Sequence, residues 1–93
     1  MKQLPTNYMF GELMQKKRLE SGLSQGDLAK KLGYSTSQFI SNWERGICSA
    51  PYSVIEKLVK ILNLNKEDLL EAMLMDTRRS FEMKLKIKKG KGA

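Results

Sequence analysis

The chain has 93 residues, 41% of them hydrophobic and 29% charged, and its net charge is +7; this length suits one small domain whose core leaves no room for a separate catalytic cleft. The absence of histidine excludes histidine-dependent catalysis, and the single cysteine, Cys48, excludes an internal disulfide and disfavours a zinc site. The sequence has neither an apolar run that could span a membrane nor an apolar secretory signal, so we expect a cytoplasmic protein. We expect no metal or cofactor.

Five helices are predicted along the chain, with no internal repeat. Apolar residues recur at steps of three and four positions in each, and glycines or capping residues mark the ends. The second helix begins after Ser24, whose hydroxyl is expected to cap it while Asp27 reaches back to complete a capping box. The predicted helices are residues 8–21, a helix between Ser24 and Gly33, residues 36–45, a helix following Pro51 and a helix following Asn65, with Leu69, Leu70, Met73 and Leu74 as the apolar stripe of the last.

The positive charge is concentrated at the C-terminal end. Residues 78–93 contain seven Lys or Arg and one acidic residue, a net charge of +6, whereas residues 1–77 have a net charge of +1. Such a tail is typical of a nonspecific contact with nucleic acid, and equally of a solubilising end. We predict a folded domain over residues 1–77 and a basic tail over residues 78–93. The alternation in "MKLKIK" leaves a strand, a helix extension or disorder open for the tail.

The connection between the second and third helices is short. Gly33, Tyr34 and Ser35 leave too little chain for an antiparallel hairpin, so the two helices should cross steeply, as in a helix-turn-helix. Ala29 lies where they would approach most closely. The sequence therefore predicts a compact all-α domain built around this pair of helices.

The third helix has an unusual polar side. Its apolar residues Phe39, Ile40 and Trp43 alternate with short uncharged side chains, and no charge occurs before Glu44. Surface helices of soluble proteins normally carry Lys and Glu on the side that faces water. The neutral groups, which both donate and accept hydrogen bonds, are Ser37, Gln38, Ser41 and Asn42.

Residues 23–46, "LSQGDLAKKLGYSTSQFISNWERG", resemble the helix-turn-helix of the phage repressor and Cro type, the XRE family. The similarity lies in the opening L-S-Q, in D-L-A-x-K-L-G and in the closing S-x-W-E-R-G, and it covers about residues 10–74. It implies a five-helix, lambda-repressor-like domain that binds double-stranded DNA, with the helix over residues 36–45 in the major groove. Members usually bind inverted repeats as homodimers, and many are repressors.

The chain departs from the family pattern by one extra residue between Gly33 and Trp43. We count back from Trp43, because a helix is rigid and a turn can absorb an insertion. The family's base-reading positions then fall on Ser37, Gln38 and Ser41; counting forward from Gly33 would shift each by one residue.

The chemistry of these side chains suits base edges. A glutamine amide can pair with adenine through one donor and one acceptor, and serine can serve in either direction. Phe39 is expected at the core or its edge, with contact to a thymine methyl as the alternative. Ser35 and Gln38 also fit a capping box, in which case Gln38 would read no base.

The resemblance also assigns residues that position the protein on DNA. Arg18 and Glu44 correspond to paired charges that tie the first helix to the end of the third, and should be partly buried. For Gln25 and Lys57, a simply solvated side chain is the alternative. The predicted phosphate contacts are Gln25, Thr36, Asn42, Arg45, Ser49 and Lys57.

Three classes of function are compatible with a small basic chain of this kind. A DNA-binding regulator is favoured, and an antitoxin-type module of the same fold, which binds a partner protein and regulates its own synthesis, is the alternative. An enzyme is not expected, because no nucleophile–base pair and no phosphate-binding glycine loop occurs. Leu64, Met73, Leu74 and Phe81 are many apolar groups for so small a domain, so the fifth helix is the expected seam of a homodimer.

Overall fold

Five α-helices follow one another along residues 5–86, the part of the chain that this computed structural model describes. They are α1 (Tyr8–Glu20), α2 (Gln25–Leu32), α3 (Gln38–Glu44), α4 (Tyr52–Ile61) and α5 (Lys66–Lys84). No strand occurs within these residues. The predicted all-α, five-helix architecture is confirmed.

Two helices, α2 and α5, begin with a side-chain cap at the positions predicted from the sequence. The Ser24 hydroxyl accepts a hydrogen bond from the Asp27 N–H at 2.9 Å, and the Asp27 carboxylate accepts one from the Ser24 N–H at 3.0 Å. The bond from the Ser24 N–H lowers the pKa of Asp27. At the start of α5, the Asn65 side chain accepts hydrogen bonds from the N–H groups of Glu67 and Asp68. These caps satisfy amide groups that have no partner inside the helix.

The third helix is shorter than predicted. The range 36–45 was wrong at both ends, because Ser37 is the N-cap and Arg45 the C-cap of α3. No capping box forms between Ser35 and Gln38: the Gln38 N–H bonds to the Thr36 hydroxyl, at 3.3 Å. Residues 34–37 form the turn between α2 and α3. Gly33 starts this turn with φ 88°, a left-handed conformation that glycine adopts without strain.

The fifth helix extends further than the sequence pattern indicated. It continues without a break to Lys84, so the first two residues of "MKLKIK" are helical and the next two form a turn. The last two residues of "MKLKIK", and the rest of the predicted tail to Ala93, lie outside the described residues. The predicted apolar stripe was partly wrong, because Leu70 and Leu74 are half exposed whereas Ala72 is buried.

The core lies where α1, α2, α3 and α4 meet, around the indole of Trp43. The predicted core residues Leu28, Leu32, Trp43, Leu58 and Leu62 are all buried. The side chains with the least exposure are Phe10, Met14, Leu28, Ile40, Trp43 and Leu58. Since fully burying one such side chain contributes about 1.5–3 kcal/mol, this cluster supplies most of the drive to fold.

The N-terminal half of α1 packs directly against the end of α3. A Cβ atom at Gly11 would lie 2.6 Å from the carbonyl oxygens of both Trp43 and Glu44. Just before α1, the Asn7 N–H donates to the Gly46 carbonyl at 3.0 Å. The position of α3 is therefore fixed by backbone contacts with α1 as well as by its buried side chains.

The start of α1 is capped from a distant part of the chain. The Asn7 side chain makes no capping hydrogen bond. Instead, the carboxylate of Asp76, on α5, accepts hydrogen bonds from the N–H groups of Met9 at 2.8 Å and Phe10 at 2.9 Å. Asp76 is only 3% exposed. A buried carboxylate is stable here because it receives these hydrogen bonds and the partial positive charge of a helix N-terminus.

Arg79 strengthens the same junction from one turn further along α5. Its guanidinium donates to the carbonyl oxygens of Pro5 and Thr6 and lies 3.6 Å from the Asp76 carboxylate. Residues before α1 and residues late in α5 are thus held together. Neither Asp76 nor Arg79 was among the residues predicted to have a role.

Candidate nucleic-acid interface

Helix α3 separates its residues into an inward and an outward face. Ile40 and Trp43 point into the core, whereas Gln38 and Arg45 are exposed and Asn42 is half buried between them. The remaining predicted base-reading residues, Ser37 and Ser41, are half buried, at the N-cap and on the helix. The predicted base-reading residues are therefore collected on a single helix of seven residues and its N-cap.

Three outward side chains of α3 are joined by hydrogen bonds. Gln38 Nε2 donates to Asn42 Oδ1 at 3.0 Å, and Arg45 Nη2 donates to the same oxygen at 2.7 Å. Arg45 Nε also donates to the Ser41 carbonyl at 3.3 Å. The Gln38 side chain consequently runs along the helix surface and does not fold back onto the backbone. This face presents neutral hydrogen-bonding groups and one positive charge.

An aromatic cluster borders this face. The rings of Tyr34 and Phe39 have centroids 4.9 Å apart, and Tyr34 contacts Trp43 edge-on at 5.9 Å. Phe39 remains 50% exposed, so it lies at the edge of the core and not within it. Its packing against Tyr34, a residue of the turn, holds the turn against the start of α3.

The single acidic residue of α3 is withdrawn from the surface. Both oxygens of Glu44 bind the Arg18 guanidinium, at 2.5 Å to Nε and 3.1 Å to Nη2, and one accepts a further bond at 3.0 Å from Gln25 Nε2. The Glu44 side chain is 2% exposed. Arg18 also donates to the Leu23 carbonyl, and its hydrogen bonds to Glu44 raise its pKa. This group of side chains joins α1, α2 and α3 and withdraws the carboxylate of α3 from its outward face.

Gln25 is committed to this interior contact in the structure. Its amide nitrogen uses one hydrogen for Glu44, although the residue itself is only half buried and opens α2. The helix N-terminus beside it carries the partial positive charge that favours an anion. Phosphate oxygens accept hydrogen bonds, so the amide oxygen of Gln25 could not bind them. A phosphate contact by Gln25 would therefore use its second Nε2 hydrogen or its backbone N–H.

The other predicted phosphate contacts lie around α3. Thr36 is exposed in the turn and accepts the Gln38 N–H. Ser49 is half buried in the loop after α3, where its hydroxyl is 3.4 Å from the Ala50 carbonyl, and Lys57 is exposed on α4. Within residues 5–86, no hydrogen bond or ion pair links Ser49 or Lys57 to α3.

A groove between α1 and α5 has the opposite electrostatic character. The charged groups along it are three carboxylates and one lysine: Glu12, Asp68, Glu71 and Lys16. Its apolar part includes Leu13, Leu19 and Met75. This lining would repel phosphate, whereas the outward face of α3 would not.

Residues 5–86 contain no cluster of His, Cys, Asp or Glu suited to a metal ion, and in that range no helix is long and apolar enough to cross a bilayer.

Two helices that meet across a tight turn, the second presenting a hydrogen-bonding face without an exposed carboxylate, define a DNA-binding helix-turn-helix domain. A family model described as helix-turn-helix matches residues 14–69, more than half of the chain. The chain belongs to this family, of the Cro/C1 or XRE type, whose members are DNA-binding regulators; the resemblance seen in the sequence is confirmed. Comparison with curated proteins and with solved structures returned no match.

Proposed function

We propose that this protein is a sequence-specific transcriptional regulator, a repressor that binds an inverted-repeat operator as a homodimer with α3 in the major groove. The observation that carries the proposal is the outward face of α3. Its one acidic residue, Glu44, is neutralised inside the domain by Arg18 and Gln25. The groups left facing outward suit base edges and do not repel phosphates. Such a protein acts where the genome is, in the cytoplasm of a bacterial cell.

In this proposal the base-reading side chains are Ser37, Gln38 and Ser41. Gln38 is the most exposed of the three and retains a free amide oxygen, so it is the side chain best suited to pair with adenine. The two serines lie closer to the helix surface and would read a base edge only at short range. The half-exposed ring of Phe39 borders the same surface.

Phosphate contacts would set the register of α3 in the groove. Arg45 supplies the one positive charge on the outward face, and the N-terminus of α2 next to Gln25 supplies backbone N–H groups. The residues assigned to this role are Gln25, Thr36, Asn42, Arg45, Ser49 and Lys57.

The homodimer is proposed to form through α5. Leu64 cannot contribute, because it is buried in the core. The outer side of α5 carries Leu70, Leu74 and Phe81, each more than half exposed, and Leu85 follows just beyond the helix. Their spacing of four and seven residues places the three helical side chains in one row, which a second copy would cover. Two copies would then offer their α3 helices to half-sites about one helical turn, roughly 34 Å, apart.

The proposal is tested by selecting bound duplexes from a random DNA pool at about physiological salt and sequencing them, with Gln38→Ala as the matched variant. Enrichment of an inverted repeat by the natural chain, with preference lost at one base position in each half-site for Gln38→Ala, supports a dimeric reader. Retention of DNA without an enriched site contradicts sequence-specific recognition. No retention overturns the DNA-binding assignment and directs attention to a protein partner.

The basic tail requires a separate measurement. Deleting residues 78–93 would also remove Arg79 and so loosen the start of α1. The variant K88Q/K89Q/K91Q removes three positive charges and leaves the helices intact. If all three lysines contact phosphates, the slope of log affinity against log salt becomes shallower by roughly 2.7 for each protomer bound. An unchanged slope assigns these lysines to solubility.

A further inference from the structure

Asn42 occupies the centre of the hydrogen-bonded row on α3. Its Oδ1 accepts from Gln38 Nε2, one turn earlier, at 3.0 Å and from Arg45 Nη2, one turn later, at 2.7 Å. A side-chain amide oxygen has two acceptor sites, so both are filled. The oxygen of Asn42 is therefore fully engaged within the protein, and only its Nδ2 group remains to contact DNA.

The hydrogen bond to Asn42 determines what Gln38 presents outward. One of the two Nε2 hydrogens is held along the helix, which fixes the plane of the amide. The second hydrogen and the free Oε1 remain, and they form a donor–acceptor pair. Adenine presents the complementary pair in the major groove, an acceptor at N7 and a donor at N6.

An exposed glutamine without such a partner samples several rotamers, and binding must then order it at a cost in free energy. Arg45 is restrained in the same way, because its Nε bonds to the Ser41 carbonyl and its Nη2 to Asn42. These bonds leave Nη1 as the free end of the guanidinium. The two side chains are thus oriented before DNA arrives, which lowers the cost of binding.

We infer that Asn42 is a positioning residue for base recognition: it holds the Gln38 amide in the orientation that selects adenine. This inference rests on the proposed function and assigns Asn42 a role that a phosphate contact alone would not have. A phosphate contact contributes equally to all sequences, whereas a positioning residue contributes to the discrimination made by its partner.

The test measures equilibrium binding to the selected operator and to its variants at the base pair whose preference Gln38→Ala abolishes, at one fixed salt concentration. Asn42→Ala removes the shared acceptor. It should lower discrimination at that base pair three- to tenfold, or about 0.6–1.4 kcal/mol, in line with one exposed hydrogen bond. Because Asn42 acts through Gln38, the double variant Q38A/N42A should lose no more discrimination than Gln38→Ala alone.

Asn42→Asp is the matched control, because it keeps an oxygen that accepts from both neighbours. It should bind all sequences more weakly, through its negative charge, yet retain the preference for adenine. The urea midpoint of each variant, followed by circular dichroism, should lie close to that of the natural chain, since neither Gln38 nor Asn42 belongs to the buried core.

The possible results separate this inference from the function on which it rests. If the natural chain enriches no site, both are overturned. If it enriches a site but Asn42→Ala weakens all sequences equally, Asn42 is a phosphate contact and only the positioning role is overturned. Additive losses in the double variant, or a preferred base other than adenine at the Gln38 position, overturn it as well.

Discussion

Replacement of Asp76 by alanine tests the long-range cap on α1. The change leaves the N–H groups of Met9 and Phe10 without acceptors, and each orphaned buried amide costs about 1–3 kcal/mol. The Met9 group is only partly buried, so water would recover part of its loss. We therefore expect Asp76→Ala to lower the free energy of unfolding by about 2–4 kcal/mol, which agrees with the loss of a strong N-cap together with desolvation.

The assay is urea unfolding followed by circular dichroism at the helical minimum. Glu71→Ala serves as the matched control, because it removes an exposed carboxylate from the same helix and should change stability by less than about 0.5 kcal/mol. Asp76→Asn keeps one acceptor oxygen and should cost about half as much as alanine. If Asp76→Ala falls within the range of the control, the hydrogen bonds to α1 do not stabilise the fold and the reasoning is refuted.

Gly11→Ala should destabilise by about 2–3 kcal/mol in the same urea assay, because its Cβ would meet two backbone carbonyl oxygens of α3 at 2.6 Å. Gly26→Ala, at an open position of α2, should be neutral or stabilising; equal effects would contradict the close approach. Arg18→Met leaves the Glu44 carboxylate buried without its partner and should lower the free energy of unfolding by about 3–5 kcal/mol, whereas R18M/E44M should recover much of that loss. A double variant no more stable than the single variant would argue against a coupled pair. The capping box lowers the folded-state pKa of Asp27, so the stability that Asp27 contributes is present above the unfolded pKa of about 3.9 and is lost as pH falls through the folded pKa. The stability difference between the natural chain and Asp27→Asn, measured by urea unfolding between about pH 6 and 2.5, should therefore shrink in acid. A constant difference would contradict this linkage.

Features that depend on neighbouring residues were predictable from the sequence. Ser24 and Asp27 cap α2 because their side chains reach N–H groups three positions away, and Asn65 caps α5 in the same manner. The start of α3 was not predictable in this way. Ser37 makes no side-chain cap, so no local signal distinguishes it from Thr36 as the boundary. There the packing of the turn decides, through the contact between Tyr34 and Phe39.

For the candidate site, the residue types and the helix were predictable, but the contacts among them were not. The sequence placed Gln38 and Asn42 on one helix without revealing that they bind each other. Asp76 left a signal that was not used: it follows Leu69 and Ala72 at steps of three and four residues, which puts a carboxylate on the buried side of α5. A charge at such a position requires a partner, although the sequence does not say where in the chain the partner lies.

The cap on α1 also has a consequence for the order in which the chain folds. The bonds from Met9 and Phe10 to Asp76 span 67 and 66 of the 93 residues. During synthesis α1 emerges early, but the N–H groups at its start cannot form hydrogen bonds with Asp76 until α5 has been made. The family match, residues 14–69, includes neither partner of this cap. We expect the start of α1 to be the last part of the described residues to reach its final structure, and the most accessible to proteases during synthesis.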